Sequence, residues 1–356
     1  MRDNSKIGVK MKDIARLANV SVSTVSLALN GKPGVSEATR QKILQIARFL
    51  ADSYTADKFG HVRKGSIRFL KIVRHGHVLN RDHDVFISSY IDGLEEEART
   101  NGYSLEVNTF VSAEMEDIIK LFRNPSVDGL IVLGTEFSEA DVSAFEKVTI
   151  PVVFIDTNFD YMGFNFVDMN NMEATFQIIR HFVELGHRKI GLIRSPVECR
   201  NFKLREIGFR EALRHLGIPL KEKYIFSVDS TFSGAYSDMV QLLKKATELP
   251  TALFSSNDII AYGCIKAIKE ANLKVPDDIS IVGFDDLPMS ALMDPPLTTM
   301  KVSKTQIGKT AMRLMIDKLK GELEVPVKVL ISGELVYRQS VRKLTGEPEE
   351  PGGPGP

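Results

Sequence analysis

Residues 11–50, MKDIARLANVSVSTVSLALNGKPGVSEATRQKILQIARFL, hold three short helical patterns whose stops are too tight for an ordinary helical hairpin. Asp13 to Ala18 puts Ile14, Leu17 and Ala18 on one face at helical spacing. Asn19-Val20 turns the chain, and Ser21 is a suitable N-cap for a second helix from Val22 to Leu29. Gly31, Pro33 and Gly34 end that helix, and Ser36 caps a third one with Ile43, Ile46, Ala47 and Leu50 inward. Two helices joined by about three to four residues form a helix-turn-helix, whose second helix enters a DNA major groove. Here that helix offers a small polar face, Ser21, Ser23, Thr24 and Ser26, able to approach base edges and phosphates closely. A generic three-helix domain is the bland alternative, but the turn spacing and the caps all agree with the DNA reading.

Charge points the same way. The whole chain balances 46 basic against 46 acidic residues, which conceals an asymmetry. Residues 1–64 hold 12 Lys and Arg against 5 Asp and Glu, leaving 34 against 41 in the remainder. A basic head on an acidic body is the electrostatic footprint of a DNA-binding module joined to something else. Lys10, Lys12, Arg16, Lys32, Arg40 and Lys42 are expected to contact phosphates, although each reads equally well as a solvated surface charge.

At 356 residues the chain is long enough for two or three units. No run of about 18 apolar residues exists, so no membrane span is expected. The polar N-terminus reads as no signal peptide, and Cys199 and Cys264 form neither a disulfide framework nor a metal site, which fits the cytoplasm. The final GEPEEPGGPGP reads as a disordered tail.

From Ser66 onward short apolar runs alternate with amphipathic helices. Strands are expected at 67–73, 104–109, 129–133, 152–155, 190–193, 252–255 and 279–282, with helices such as 87–100, 115–122, 172–185, 204–215 and 259–271 between them. Met172, Phe176, Ile179 and Val183 form a stripe that reads as core, with Gly186 as the C-cap beyond it. This alternation predicts an α/β body with two parallel sheets, whose ligands bind beyond the carboxyl ends of the strands. Asp156, Asn257, Asp258, Asp285 and Asp286 sit at such ends.

The head resembles the lactose-repressor-like (LacI/GalR) transcription regulators through Asp13-Ile14-Ala15, Ala18, Val20-Ser21, Thr24-Val25-Ser26, Leu29-Asn30, Val35-Ser36 and Thr39-Arg40. The body resembles the same family through ELGHRKIGLI at 184–193, SSNDIIAYGCIKAIKEANLKVPDDISIVGFDDLP at 255–288 and PPLTTM at 295–300. The resemblance covers nearly the whole chain except the tail. It implies a small all-α helix-turn-helix head on a two-lobed, periplasmic-binding-protein-like body that dimerises and holds a small effector between its lobes. The implied divisions are a head at 9–53, a hinge at 54–65, a ligand-binding and dimerisation domain at 66–345 and a tail at 346–356. Within the body the expected lobes are about 66–160 with 295–322, and about 162–292 with 324–342.

Carried over residue by residue, the resemblance places DNA contacts at Lys12, Ser21, Val22, Ser23, Thr24, Ser26, Leu27 and Asn30, and in the hinge at His61 and Arg63. It places effector contacts at Asp156, Arg205, Asn257, Asp258 and Asp285, a set suited to a polyol because carboxylates accept hydroxyl protons while Arg and Asn donate. Capping the next helix is the competing role for Asp258, and Phe86 is either an apolar wall for a sugar face or core. Three departures from the family pattern stand out. Leu27 replaces a frequent arginine and offers only an apolar contact, suited to a thymine methyl. The hinge lacks the family's leucine wedge, leaving Val62 or Arg63 for the minor groove. The segment RHGHVLNRDHD at 74–84 is longer and more polar than its counterpart. Its His75, His77 and His83 beside Asp82 and Asp84 invite a metal, but without ligand spacing it reads as a solvated loop at the cleft mouth.

No nucleophile elbow or phosphate loop is present, so an enzyme is not expected, and no cofactor or metal is implied. A secreted solute-binding protein would share the body but not the basic head. The expectation is therefore a cytoplasmic repressor that binds a pseudo-palindromic double-stranded operator as a homodimer, controlled by a small carbohydrate-like effector. A regulator with no small effector, governed by a protein partner or constitutive, is the alternative.

Overall fold

The computed structural model describes residues 11–29, 32, 34–36, 39–44, 46–47, 64–122 and 125–344. The chain separates into two compact units, one up to Lys64 and one from Gly65 onward. Asn30, His61 and Arg63 fall outside the described residues, as do the rest of the hinge before Lys64 and the tail. Among the described residues no helix is long and apolar enough to cross a membrane.

In the head, α1 (Met11–Ala18) and α2 (Val22–Leu29) form as expected, and residues 39–44 are helical. Ser21 caps α2 by accepting from the Thr24 amide at 3.1 Å, and Ser36 does the same for Thr39 at 3.3 Å. The head closes its own small core from Ile14, Ala15, Ala18, Val25, Ala28 and Ile43, with Ile46 and Ala47 packed against it. Leu17 does not join it: the inward positions of α1 are 14, 15 and 18, so Leu17 is turned to solvent.

The body contains two six-stranded sheets. In the first, β1 (Gly65–Val73), β2 (Tyr103–Val111), β3 (Gly129–Leu133), β4 (Val152–Ile155), β5 (Asn165–Met169) and β11 (Lys328–Ile331) run parallel in the order β11-β5-β4-β3-β1-β2. In the second, β6 (Ile190–Arg194), β7 (Ile225–Ser227), β8 (Ala252–Ser255), β9 (Ser280–Asp285), β10 (Thr298–Lys301) and β12 (Glu334–Val336) take the order β12-β10-β9-β8-β6-β7. Only the β10–β12 pair of this sheet is antiparallel. The central strands β3, β4, β8 and β9 are buried along their whole length, which is why they read as continuous apolar runs.

The lobe boundaries differ from the expected ones. Residues 298–301 belong to the second sheet rather than the first, 165–169 and 328–331 to the first rather than the second. These strands are short, and β5 and β10 mix polar residues among the apolar ones, so no long apolar run announces them. Thr298 and Thr299 of β10, for instance, are bonded to the Arg338 amide and to Asp258. The helix Lys304–Lys320 does return to the first lobe and packs on the helix Asp84–Thr100. Gly93 and Gly308 permit that contact, since a Cβ on Gly93 would lie 2.1 Å from the Thr305 carbonyl oxygen. In the helix Asn171–Glu184 the buried face is Ala174, Thr175, Ile178, Ile179 and Phe182, a stripe rotated from the expected one, and Met172 is exposed.

Candidate functional site

In the head, Lys12, Ser21, Val22 and Ser23 are exposed, while Thr24, Ser26 and Leu27 are half-buried at the surface of α2. Ser21 Oγ also pairs with Ser23 Oγ at 2.7 Å and Thr24 Oγ1 at 2.8 Å, so the start of α2 is an ordered row of hydroxyls. Two of the expected phosphate ligands have other work. Arg40 Nη1 donates to the Ala28 carbonyl at 2.8 Å and Nη2 to the Lys32 carbonyl at 2.7 Å, while Lys42 Nζ donates to the Ala18 carbonyl at 3.2 Å. Each satisfies carbonyls at a helix C-terminus, where a cation also complements the dipole.

In the body, both lobes converge on a small cavity of about 30 Å³. The expected residues Phe86, Asp156, Arg205, Asn257 and Asp285 line it, together with His83, Thr135 and Asn201, which were not expected there. Asp258 does not line it. Its carboxylate is fully engaged by Thr299 Oγ1 at 2.6 Å, Ser290 Oγ at 2.7 Å and the Leu287 amide at 2.9 Å. Asn257 is the N-cap of the helix Asp258–Glu270, accepting from the Ile260 amide at 2.9 Å. Asp258 thus ties that helix to the loops beyond β9 and to β10, neither capping the helix nor lining the cavity.

Arg205 is the hub. It is buried on the helix Arg200–His215, donating from Nε to Asn171 Oδ1 at 2.9 Å and from Nη1 to the Ser256 carbonyl, with its guanidinium 3.6 Å from the centroid of the Phe284 ring. Its Nη2 stands 3.7 Å from Asp285 Oδ1. One turn earlier on the same face, Asn201 donates to Asp156 Oδ1 at 3.1 Å, and Tyr90 donates to that oxygen at 2.9 Å while Thr135 donates to Oδ2. The i, i+4 spacing from Arg205 is the sequence signal that could have found Asn201. Asp156, Asp285 and Asp286 hold φ values of 61°, 116° and 49° just where β4 and β9 end, so backbone strain concentrates at the cleft.

Burial dominates the electrostatics. It raises the Asp285 carboxyl from 3.8 to about 7 against the opposing pull of Arg205, and Asp156 to about 6 against its hydrogen bonds. Asp168, facing Asp156, is raised to about 7 by burial and by that neighbour. A carboxyl whose folded pKa is raised contributes stability that is complete below about pH 4 and is lost as pH rises through about 7. Wild-type protein is therefore expected to lose stability relative to Asp285→Asn over that window. Urea titrations of both proteins at intervals from about pH 5 to about pH 8 would refute this if their difference stays constant.

The segment 74–84 is solvated on one side only: His75, His77, Arg81, Asp82 and Asp84 are exposed, while Val78, Leu79 and His83 are buried. The buried Glu136 carboxylate accepts from five of its amides: Arg74, His75 and Gly76 on Oε2 at 2.9, 3.1 and 3.0 Å, Val78 and Leu79 on Oε1 at 2.9 and 2.8 Å. Wrapped around that anion, Val78 and Leu79 turn inward to line the cavity. The segment also touches the second lobe, where Ser230 donates to the His77 carbonyl at 2.8 Å and His75 Nε2 lies 3.1 Å from the Glu198 carbonyl. Among the described residues no three His, Cys, Asp or Glu side chains converge as a metal site.

Residues 10–51 match the profile of the bacterial regulatory proteins of the lacI family, and residues 179–341 match a periplasmic binding protein-like domain. The HTH-type transcriptional repressor CytR of Escherichia coli strain K12 is 32% identical over 338 residues, covering 94% of this chain and 96% of that protein. The chain belongs to the lacI family. A second lacI-family relative, the repressor PurR of Aliivibrio salmonicida, is 30% identical over 94% of this chain and 99% of its own length. The structure of the Lac repressor dimer bound to operator and the anti-inducer ONPF aligns with a TM-score of 0.69 at 25% identity, over 94% of this chain and 99% of that one. A complex of the transcriptional regulator CelR with cellobiose shares the fold, with a TM-score of 0.70 at 23% identity over 93% and 99%. This lacI-family chain is a transcription regulator with a helix-turn-helix head and not an enzyme.

Proposed function

We propose that the protein is a repressor that binds a pseudo-palindromic operator as a homodimer and is controlled by a small polyol-like effector between the lobes of its body. The observation that carries the reading is the convergence of Asp156 from one lobe and Arg205, Asn201 and Asp285 from the other on one small cavity. At about 30 Å³ the cavity has room for a water or two, whereas ligand pockets run to about 300–1,000 Å³. An effector therefore binds by parting the lobes or displacing Val78 and Leu79, and it acts through its difference in affinity between the open and closed states. The small volume also favours the second reading, a regulator with no small effector.

Dimerisation has a surface to use. A groove of about 890 Å³ beside the helix Asp258–Glu270 is lined by Ile259, Tyr262 and Ile265, with Val85, Met289 and Leu292 exposed around it. Leu292 is 78% exposed, and a second copy of this apolar face is the occupant we assign. On DNA, Ser21, Val22, Ser23, Thr24, Ser26 and Leu27 read the groove, with Lys12 on the phosphates.

Anisotropy titrations of the whole protein against fragments of its own genome are expected to show a salt-sensitive preference for some fragments over random duplex. A thermal-shift screen over sugars, sugar phosphates, nucleobases and sugar acids is expected to raise the melting temperature by several degrees for at least one class. Equal affinity for all duplexes would refute the operator reading. A flat thermal screen alongside retained operator preference would establish the effector-free reading instead.

A further inference from the structure

His83 precedes the helix Asp84–Thr100, is 4% exposed and lines the cavity. Its ring Nε2 lies 3.1 Å from Asn257 Nδ2, across the two lobes. The Asn257 amide cannot be turned over, because its Oδ1 accepts from the Ile260 amide at the helix N-cap. An NH2 group only donates, so Nε2 must accept and the proton of the neutral ring sits on Nδ1. Burial, reinforced by the positive charge of Arg205, holds the imidazole neutral by lowering its pKa to about 4. That Nδ1–H has no hydrogen-bond partner among the described residues. The other buried polar atoms in that condition, on Thr157, Arg194 and Tyr224, belong to residues that do not line this cavity.

We propose that His83 is a specificity-determining residue of the cleft, whose Nδ1–H is met by an uncharged hydrogen-bond acceptor of the effector, a carbonyl, ring oxygen or ring nitrogen. The inference rests on the effector reading above and narrows its chemistry. Arg205 Nε and Nη1 already donate to Asn171 and Ser256, and Asp156 already accepts from Tyr90, Thr135 and Asn201, whereas the His83 Nδ1–H is a donor of the cavity lining with no partner among the described residues. An anionic acceptor is disfavoured, since it would be enclosed with the carboxyls of Asp156 and Asp285. A donor buried without a partner discriminates strongly between ligands that meet it and ligands that do not.

The test separates the two ring nitrogens. Asparagine places its amide near Nδ1 of the histidine it replaces, whereas glutamine reaches the Nε2 position. Ring-15N spectra of histidine-labelled full-length protein, assigned by comparison with His83→Gln, are expected to show Nδ1 protonated and Nε2 bare near neutral pH. D-ribose, uracil and D-ribose 5-phosphate are then titrated by calorimetry into wild type, His83→Asn and His83→Gln. A neutral probe that binds wild type is expected to lose about 10-fold to 100-fold in affinity with His83→Gln and to keep most of it with His83→Asn. The reverse ranking, equal binding by both variants, an Nε2–H tautomer, or binding of the phosphate ester alone overturns the proposal. With no probe bound by wild type the proposal falls too. An Nδ1–H tautomer in that case places the failure in the effector reading, whereas an Nε2–H tautomer beside a binding probe places it in this inference alone.

Discussion

Replacing Glu136 with leucine is expected to lower the stability of the body by about 3–5 kcal/mol in urea titrations, the range for removing one partner of a buried charge network. Leucine preserves bulk but deserts five amides that a single carboxylate now holds. Each deserted buried donor costs about 1–3 kcal/mol, and part of that is recovered as the segment 74–79 swings out to water. Glu136→Gln is expected to fall between, because its NH2 group confronts donors on whichever side it faces. The loss should be accompanied by faster hydrogen exchange at Val78 and Leu79, whose amides it frees. A change under about 1 kcal/mol, with exchange at those two amides unaltered, would show that the segment folds inward without its anion.

Arg205→Ala is expected to have the second large effect, on stability and on response to effector together. Truncation leaves the Asn171 and Ser256 acceptors unmet, opens a void over Phe284 and removes a guanidinium facing Asp156 and Asp285. Breaking such a buried cluster costs about 3–5 kcal/mol. The cost should grow with pH, because Asp285 already titrates at about 7 and, without its cation, is pushed higher still. Below that point the carboxyls stay neutral and the lost partner matters less; above it they must ionise without the guanidinium, with Lys304 alone left beside Asp285. Arg205→Lys should not restore the effector-induced thermal shift, since an ammonium cannot fork between Asn171 and Ser256 or stack on Phe284. An unchanged shift in either variant would remove Arg205 from the site.

Much of this was legible in the chain because it rests on local rules. Ser21 and Ser36 announce their helices by capping chemistry, and the central strands by unbroken apolar runs. Asp156 and Asp285 are placed by their position at strand ends. What escaped depends on partners distant in sequence. Arg40 and Lys42 read as phosphate ligands because nothing local reveals that they close onto carbonyls of Ala28, Lys32 and Ala18. Asp258 and Asn257 are neighbours of similar chemistry, and only the direction of each side chain sends one to the cavity and the other to Thr299. A polar segment such as 74–84 looks solvated until the anion that gathers its amides, about 60 residues away, is known. His83 was visible only as one member of a histidine cluster, in which His75 and His77 stay together at the surface while His83 turns inward.

Both sheets take their last edge strand from residues 328–336. The head, whose core is made of its own residues, leaves the ribosome first, and at about 5–20 residues per second the body cannot complete its sheets for roughly another 15–60 s. A nascent or prematurely terminated chain thus carries the DNA reader without a finished sensor. It also leaves β5 and β10 as unpaired edges, which are prone to pair with other chains. Nonsense codons before residue 328 should therefore remove an edge strand from both sheets at once.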